Sequence, residues 1–186
     1  MKYENIGKSS TKISKICLGC MSFGSKLGWM IETEEVKPII NRALDLGITF
    51  FDTANAYSNG RSEEIVGELL KECRNDVIIG TKVRYQMGND PNDIGLSRGQ
   101  IKKQIKKSLE RLQTKFVDLY QIHRWDYDTP VNETLIALDE LVKEGQIRHI
   151  GASNMWTWQF ANCIRICNEL DLQILETMQT HYNLCY

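Results

Sequence analysis

Residues 117–123, with the sequence VDLYQIH, show the pattern that decides the fold. A short, mostly apolar run ends at a polar residue, and a stretch with helical periodicity follows it. The same order recurs along the chain. The apolar runs lie at residues 16–19, 48–51, 77–81, 117–122, 147–151 and 174–177. Strands that are apolar on both faces and alternate with helices predict a parallel sheet with crossover helices.

Five helices are predicted between these runs, near residues 34–46, 62–72, 99–113, 131–144 and 156–170. Their ends carry the residues that helix termini prefer. The predicted N-terminal caps are Thr33, Ser97 with Gln100 at capping-box spacing, and Thr129 before Pro130, and the predicted C-terminal glycines are Gly47 and Gly145. Ahead of the first unit, residues 2–7 and 12–14 predict a short β-hairpin.

The repeated units favour a (β/α)8 barrel of the TIM type over a doubly wound dinucleotide fold. The segment after the first run, GCMSFG at residues 19–24, lacks the G-x-G-x-x-G spacing of that fold. A closed barrel needs eight units and about 250 residues, so this chain is about two units short. With no linker or change in composition, residues 1–186 are expected to form a single, incomplete domain.

Composition and charge exclude several classes of partner. The net charge is -1 and the pI is near 6.3, so no global field favours nucleic acid or an anionic membrane. The lysines at 102–107 flank an apolar helix face, and we interpret them as a solvated surface. The charged start of the chain does not resemble a signal peptide, and no apolar run could span a bilayer. We therefore expect a cytoplasmic protein.

Cysteine spacing gives little support to a metal or disulfide framework. Cys17 and Cys20 are spaced C-x-x-C, but no second ligand pair follows at zinc-site spacing. Cys163 and Cys167 lie four apart on a predicted helix. We interpret the cysteines as buried thiols and predict no metal site.

Polar residues end several predicted strands, at the edge where a barrel carries its reactive groups. Asp52 follows the second strand, with Tyr57 five residues later, and Lys82 and His123 follow the next two. A buried ammonium needs a partner, which Asp52 would supply. The positive charge of Lys82 is expected to lower the pKa of Tyr57 from about 10. Tyr57 would then exchange a proton with a substrate oxygen, and His123 would orient that oxygen.

The motifs around these residues resemble those of the aldo-keto reductase family along essentially the whole chain. The matching segments are FDTANAY at 51–57 with Gly60, Ser62-Glu63 and Gly67, LYQIH at 119–123, GASN at 151–154 and QTHYNL at 179–184. HRW at 123–125 and SNMW at 153–156 look closer to the potassium-channel β-subunit and aryl-alcohol dehydrogenase branch than to the aldose reductase branch.

The resemblance implies an NADPH-dependent reduction of aldehydes or ketones to alcohols. Tyr57 would be the general acid, tuned by Lys82 and Asp52, with His123 orienting the carbonyl. Ser153, Asn154 and Gln179 would hold the nicotinamide carboxamide, and Asp52 is counted with them among the cofactor-binding residues. The residues considered for the substrate pocket walls, with simple packing an equal alternative, are Met21, Phe23, Trp29, Tyr85 and Trp125.

Compared with the family, the sequence ends after the sixth barrel strand, and the loops that grip the adenosine phosphate in the family have no counterpart here. We therefore expect a truncated product or fragment that binds NADPH poorly and has open sheet edges. Two alternatives to a reductase stay open: a β-subunit-like regulatory protein that retains the cofactor site, and an inactive remnant. A short-chain dehydrogenase is excluded, because no Tyr-x-x-x-Lys occurs. The substrate, the oligomeric state and the preference for NADP over NAD are not determined by the sequence.

Overall fold

A parallel six-stranded sheet is the centre of the computed structural model, which describes residues 1–25 and 27–185. The hairpin strands are β1 (Tyr3–Asn5) and β2 (Lys12–Ser14), and the sheet strands are β3 (Cys17–Gly19), β4 (Phe50–Asp52), β5 (Ile78–Val83), β6 (Val117–Ile122), β7 (Ile147–Ser153) and β8 (Leu175–Gln179). The helices are α1 (Thr33–Asp45), α2 (Arg61–Leu70), α3 (Arg98–Arg111), α4 (Val131–Lys143) and α5 (Thr157–Glu169), with 3-10 turns at Tyr57–Gly60 and Lys71–Cys73.

The sheet confirms the predicted barrel-type architecture with six strands and a leading hairpin. Its strands are paired in chain order, β3-β4-β5-β6-β7-β8, all parallel. Several strands run further than the apolar runs indicated. As a result, Asp52, Lys82, Ser153 and Gln179 are strand residues held by ladder hydrogen bonds and not loop residues.

The two faces of the sheet carry different kinds of side chain. The outward face carries fully buried apolar side chains, among them Phe51, Ile79 and Ile150, which pack in one core with the helices. The helix residues of that core include Val36, Ile40, Ile65, Val66, Ile101, Ile105, Leu135, Leu138, Cys163 and Cys167. Since side chains alternate along a strand, the residues in between point into the barrel. Asp52, Lys82 and Gln121 belong to this inward set.

The hairpin packs against the amino-terminal ends of β7 and β8. His149 connects the two parts: its Nε2 lies 2.8 Å from Thr11 Oγ1 and its Nδ1 lies 2.8 Å from Glu176 Oε1. Gly7 is needed for this approach, because its φ is +51° and a Cβ would lie 2.7 Å from the Glu176 carbonyl oxygen. Ile6 is 1% exposed beneath it. The hairpin therefore covers the end of the sheet opposite the predicted site.

Two of the predicted helix caps are wrong by one residue. Glu32 is the N-cap of α1 and accepts from the Thr33 N–H at 3.4 Å, so Thr33 is the first helical residue. Pro130 is the N-cap of α4, because the hydroxyl of Thr129 is directed away and donates to Asp126.

The other helix-end predictions are confirmed. Ser97 Oγ accepts from the Gln100 N–H at 3.3 Å, although the Gln100 side chain does not return the contact. Gly47 and Gly145 have φ of 80° and 73°, the left-handed conformation that ends a helix.

The structure corrects the interpretation of the cysteines as buried thiols. Cys20, Cys163 and Cys167 are buried, but Cys17 and Cys185 are exposed and Cys73 is half-buried. Burial explains only the first three. The described residues contain no group of three or more His, Cys, Asp or Glu side chains placed to hold a metal ion.

The lysines of α3 lie on its outer face, as predicted. Lys102 pairs with Glu140 of α4 at 2.7 Å and with Glu144, the residue after α4, at 2.8 Å, and Lys103 pairs with Asp93. Across residues 1–25 and 27–185, no helix combines the length and apolarity needed to span a membrane.

Gly67 lies where α2 packs on the end of α3, and this contact predicts a specific loss of stability. A Cβ on Gly67 would lie 2.6 Å from the backbone of Leu112. Overpacking of this kind typically costs about 1–3 kcal/mol. We expect Gly67→Ala to lower the free energy of unfolding by that amount in urea titrations. Gly99→Ala is the matched control, because a Cβ there meets nothing within 4 Å. Equal stability of the two variants would contradict the packing argument.

Candidate active site

A buried ion pair forms the centre of the site. Lys82 Nζ lies 2.6 Å from Asp52 Oδ2, and their side chains are 1% and 7% exposed. Strand pairing brings them together, since Asp52 is opposite Gly80 on β5, two residues before Lys82. Lys82 Nζ also donates to the Thr53 carbonyl oxygen at 3.0 Å. Removing two charges from water is costly, and the short contact and added hydrogen bond offset that cost.

Two amides hold the carboxylate of Asp52 in place. Gln121 Nε2 donates to Asp52 Oδ1 at 3.0 Å, and Gln179 Nε2 donates to Asp52 Oδ2 at 3.1 Å. With Lys82, donors from β5, β6 and β8 converge on one side chain of β4. Gln121 was not singled out from the sequence. The signal was present, because Gln121 is two residues before His123 and must share its face of the sheet.

Tyr57 reaches the ion pair from the turn after β4. Its hydroxyl lies 3.4 Å from Lys82 Nζ. The turn is held in an unusual conformation, since Ser58 and Asn59 have φ of 47° and 55° and Ser58 Oγ donates to the Phe23 carbonyl oxygen at 3.0 Å. This geometry places the phenol over the barrel opening and directs its hydroxyl at the ammonium.

The expected lowering of the Tyr57 pKa is corrected by the structure. Burial raises the pKa of Tyr57 above its usual value, and the nearby charge of Asp52 acts in the same direction. The charge of Lys82 and its hydrogen bond do lower the pKa, as predicted, but they do not outweigh burial. Tyr57 therefore holds its proton at neutral pH, which is the form that an acid needs.

His123 is packed between two phenol rings. Its ring lies edge-on to Tyr57, with centroids 5.5 Å apart, and to Tyr85 at 4.7 Å. Burial, together with the charges of Lys82 and Arg124, lowers the pKa of His123 to about 3. The imidazole is therefore neutral at physiological pH and carries one N–H. Its Nδ1 is buried with no hydrogen-bond partner among the described residues.

Ser153, Asn154 and Gln179 lie together at the ends of β7 and β8. Asn154 Nδ2 donates to Ser153 Oγ at 2.9 Å and to the His123 carbonyl oxygen at 3.3 Å. The Asn154 N–H donates to the Gln179 carbonyl oxygen at 3.1 Å. The side-chain oxygens of Asn154 and Gln179 accept no hydrogen bond within the described chain, and both residues are exposed. Free amide acceptors beside a serine hydroxyl fit a carboxamide, which offers two donors and one acceptor.

The residues considered as pocket walls fall into three groups. Trp125 lines a cavity of about 640 Å³, which also includes Asn154. Tyr85 packs on His123, next to the ion pair. Phe23 is 2% exposed and belongs to the apolar core, while Met21 and Trp29 are exposed by 52% and 53% outside the cavity.

The sequence matches the model of the aldo/keto reductase family over residues 15–185. It is 38% identical to the aldo-keto reductase dtxS3 of Metarhizium robertsii over 99% of this chain and 57% of that protein. A probable voltage-gated potassium channel subunit beta of Oryza sativa is 36% identical, over 99% and 56% of the two chains. The putative aryl-alcohol dehydrogenase AAD16 of Saccharomyces cerevisiae is also 36% identical, over 100% and 61%.

The chain thus spans less than two thirds of the length of these relatives, and they include the two kinds of protein in the branch that the sequence motifs indicated. Because the match covers nearly all of the chain and the fold is the one expected, the chain belongs to the aldo/keto reductase family.

Proposed function

We propose that this chain carries the proton-transfer site of an NADPH-dependent oxidoreductase that reduces aldehydes or ketones to alcohols, with Tyr57 as the general acid. The observation that carries the proposal is the chain of contacts from Asp52 to Lys82 at 2.6 Å and from Lys82 to the Tyr57 hydroxyl at 3.4 Å. Family membership supports an oxidoreductase, whereas the cofactor, the acid and the substrate belong to the proposal.

The residues divide the work of moving one proton. When bound, a reduced nicotinamide would supply the hydride that the carbonyl carbon accepts, and the carbonyl oxygen would need a proton from the protein. Tyr57 donates that proton, and the charge of Lys82 stabilises the phenolate that is left. Asp52 holds Lys82 in place and is itself held by Gln121 and Gln179. In alcohol oxidation the same groups act in reverse.

Neutral His123 fits the role of a hydrogen-bond donor to the substrate oxygen. An imidazolium close to Lys82 would add a second positive charge in a buried site, and its depressed pKa prevents this. The neutral ring orients the carbonyl without competing with Tyr57 as the acid. The edge contact with Tyr57, at 5.5 Å between centroids, keeps donor and acid on the same side of the opening.

Ser153, Asn154 and Gln179 would hold the carboxamide of the nicotinamide. Their free acceptors and hydroxyl support this, and Gln179 connects the group to Asp52 at 3.1 Å. These residues would thus hold a cofactor next to the groups that move the proton, as reduction of one carbonyl by both would require.

A second candidate is a regulatory protein that binds the cofactor without significant turnover. It is favoured by the similarity to a protein named as a potassium channel subunit beta, which covers 99% of this chain. The two candidates share the same site, so only an assay of turnover separates them.

Replacing the acid tests the reductase. Tyr57→Phe keeps the ring and removes the proton, and we expect kcat for aldehyde reduction to fall at least about a hundredfold. Loss of NADPH absorbance with a panel of aldehydes measures this. The matched control is Tyr3→Phe, which removes a hydroxyl bound to the Gly47 carbonyl oxygen at the far end of the sheet.

Two results would contradict the reductase. Wild-type rates in Tyr57→Phe would remove Tyr57 from the acid role. If the unaltered protein binds NADPH but reduces no aldehyde, the regulatory candidate is favoured.

The pKa of His123 gives a second test. Its folded value of about 3 lies below the unfolded value of about 6.5, so the stability contributed by the neutral form is present above pH ~6.5 and is lost as pH falls. We expect the imidazole of His123, one of three histidines, to stay neutral down to about pH 4 in NMR titrations.

The low pKa of His123 also predicts how the free energy of unfolding depends on pH. Between the unfolded pKa and about pH 3, each pH unit should cost up to about 1.4 kcal/mol of unfolding free energy through His123, and no further loss follows below that. In His123→Gln, this part of the pH dependence should be missing. An imidazole that titrates near its ordinary pKa would refute the neutral-donor role.

A further inference from the structure

A cavity of about 640 Å³ opens next to the proton-transfer residues, between the segments that follow β6, β7 and β8. Its lining residues are Arg124, Trp125, Tyr127, Asn154, Met155, Trp156, Thr157, Gln159, Thr180 and His181. The volume is in the range that small-molecule sites occupy. The cavity adjoins the site, because Arg124 follows His123 directly and Asn154 Nδ2 donates to the His123 carbonyl oxygen at 3.3 Å.

Three of the ten lining residues carry large aromatic rings, Trp125, Tyr127 and Trp156, and neighbouring side chains contact the first two. Trp125 packs against Trp158 with ring centroids 6.2 Å apart and against Tyr127 at 6.5 Å. The Tyr127 hydroxyl accepts from Gln159 Nε2 at 3.3 Å, and Gln159 is fully buried. Trp156 leaves 68% of its surface exposed. Ring faces of this kind favour a flat aromatic ligand, which can stack on them at little entropic cost.

The charge of the cavity is one-sided. None of its described lining residues is an aspartate or glutamate, and Arg124 is a fixed cation among them. The guanidinium of Arg124 forms no hydrogen bond or ion pair with any described residue, whereas Arg74, Arg111 and Arg148 pair with buried carboxylates.

The acidic residue nearest to Arg124 in the sequence does not pair with it. Asp126, two residues later, accepts from the Leu96 N–H at 2.8 Å and from the Thr129 hydroxyl at 2.8 Å, and is 6% exposed. Through these hydrogen bonds, the Asp126 carboxylate connects the loops after β5 and β6. Among residues 1–25 and 27–185, nothing accepts a hydrogen bond from Arg124, so its donors are available at the cavity.

We infer that this cavity binds a planar aromatic molecule that carries a carboxylate, with the ring against Trp125, Tyr127 and Trp156 and the carboxylate on Arg124. The guanidinium suits a carboxylate because its donors match the two oxygens. Resting on the proposed function, this assigns the substrates to aromatic aldehydes or ketones with an acidic substituent.

Binding can be measured without turnover by following the indole NMR signals of the four tryptophans. The probes are benzoate, benzyl alcohol and cyclohexanecarboxylate. We expect benzoate to shift the signals of Trp125 and Trp156 and to bind roughly three- to tenfold more tightly than benzyl alcohol. Cyclohexanecarboxylate, which has the charge without the flat ring, should also bind more weakly than benzoate.

Substitutions separate the contribution of Arg124 from general charge. Arg124→Ala should bring benzoate down to the affinity of benzyl alcohol, and Arg124→Lys should retain part of the difference. The matched control is Arg165→Ala, since Arg165 is an exposed arginine of α5 that pairs with Glu169 at 2.5 Å. It should leave benzoate binding unchanged. Equal affinity for benzoate and benzyl alcohol, or no effect of Arg124→Ala, would overturn the inference.

Two further experiments test whether Arg124 serves the cofactor instead and whether the protein is a reductase. If Arg124→Ala weakens NADP binding more than benzoate binding, the cation serves the cofactor and the inference is overturned. Turnover of carboxybenzaldehyde with NADPH tests the proposed function separately. Arg124-dependent benzoate binding without turnover would support the cavity assignment while contradicting the reductase.

Discussion

Lys82 has only 1% of its side chain exposed, and this burial forces much of the arrangement around it. A charge so far from water needs an opposite charge and hydrogen bonds. Asp52 supplies the charge from the neighbouring strand, and its remaining acceptor capacity is taken by amides from β6 and β8. One carboxylate therefore collects donors from three strands. The curl of the sheet brings those strands within hydrogen-bonding distance of one side chain.

Burial also sets the protonation states of the groups around the pair. The same desolvation that makes Lys82 dependent on Asp52 raises the pKa of Tyr57 and lowers that of His123. Both changes favour the neutral form. The opening thus presents a phenol that holds its proton and an imidazole that carries one N–H, next to a single compensated charge. These protonation states support the roles proposed for the two residues, with Tyr57 as the acid and His123 as the group that orients the substrate oxygen.

The sheet separates stability from binding along its strands. At the amino-terminal ends, His149 connects the hairpin to Glu176, and the outward face packs the apolar core. At the carboxyl ends, the segments after β6 and β7 place aromatic rings around a cavity, together with an arginine that pairs with none of the residues that the structure describes. The amino-terminal ends of the strands thus carry structural contacts, and the carboxyl ends carry the candidate site.

The sequence by itself determined the six strands, the five helices between them, the parallel order and the residues that meet at the rim, because apolar periodicity and polar strand ends are local signals. It also contained enough motif information to identify the family. Only the tertiary structure decided the pKa values, the contacts and the burial of those residues. The pKa of Tyr57 depends on how deeply the fold buries it, Gln121 matters because its amide reaches Asp52 across the sheet, and Phe23 belongs to the core although it follows a strand end. Burial and distances across strands depend on residues that lie far apart in the chain, so no local sequence pattern encodes them.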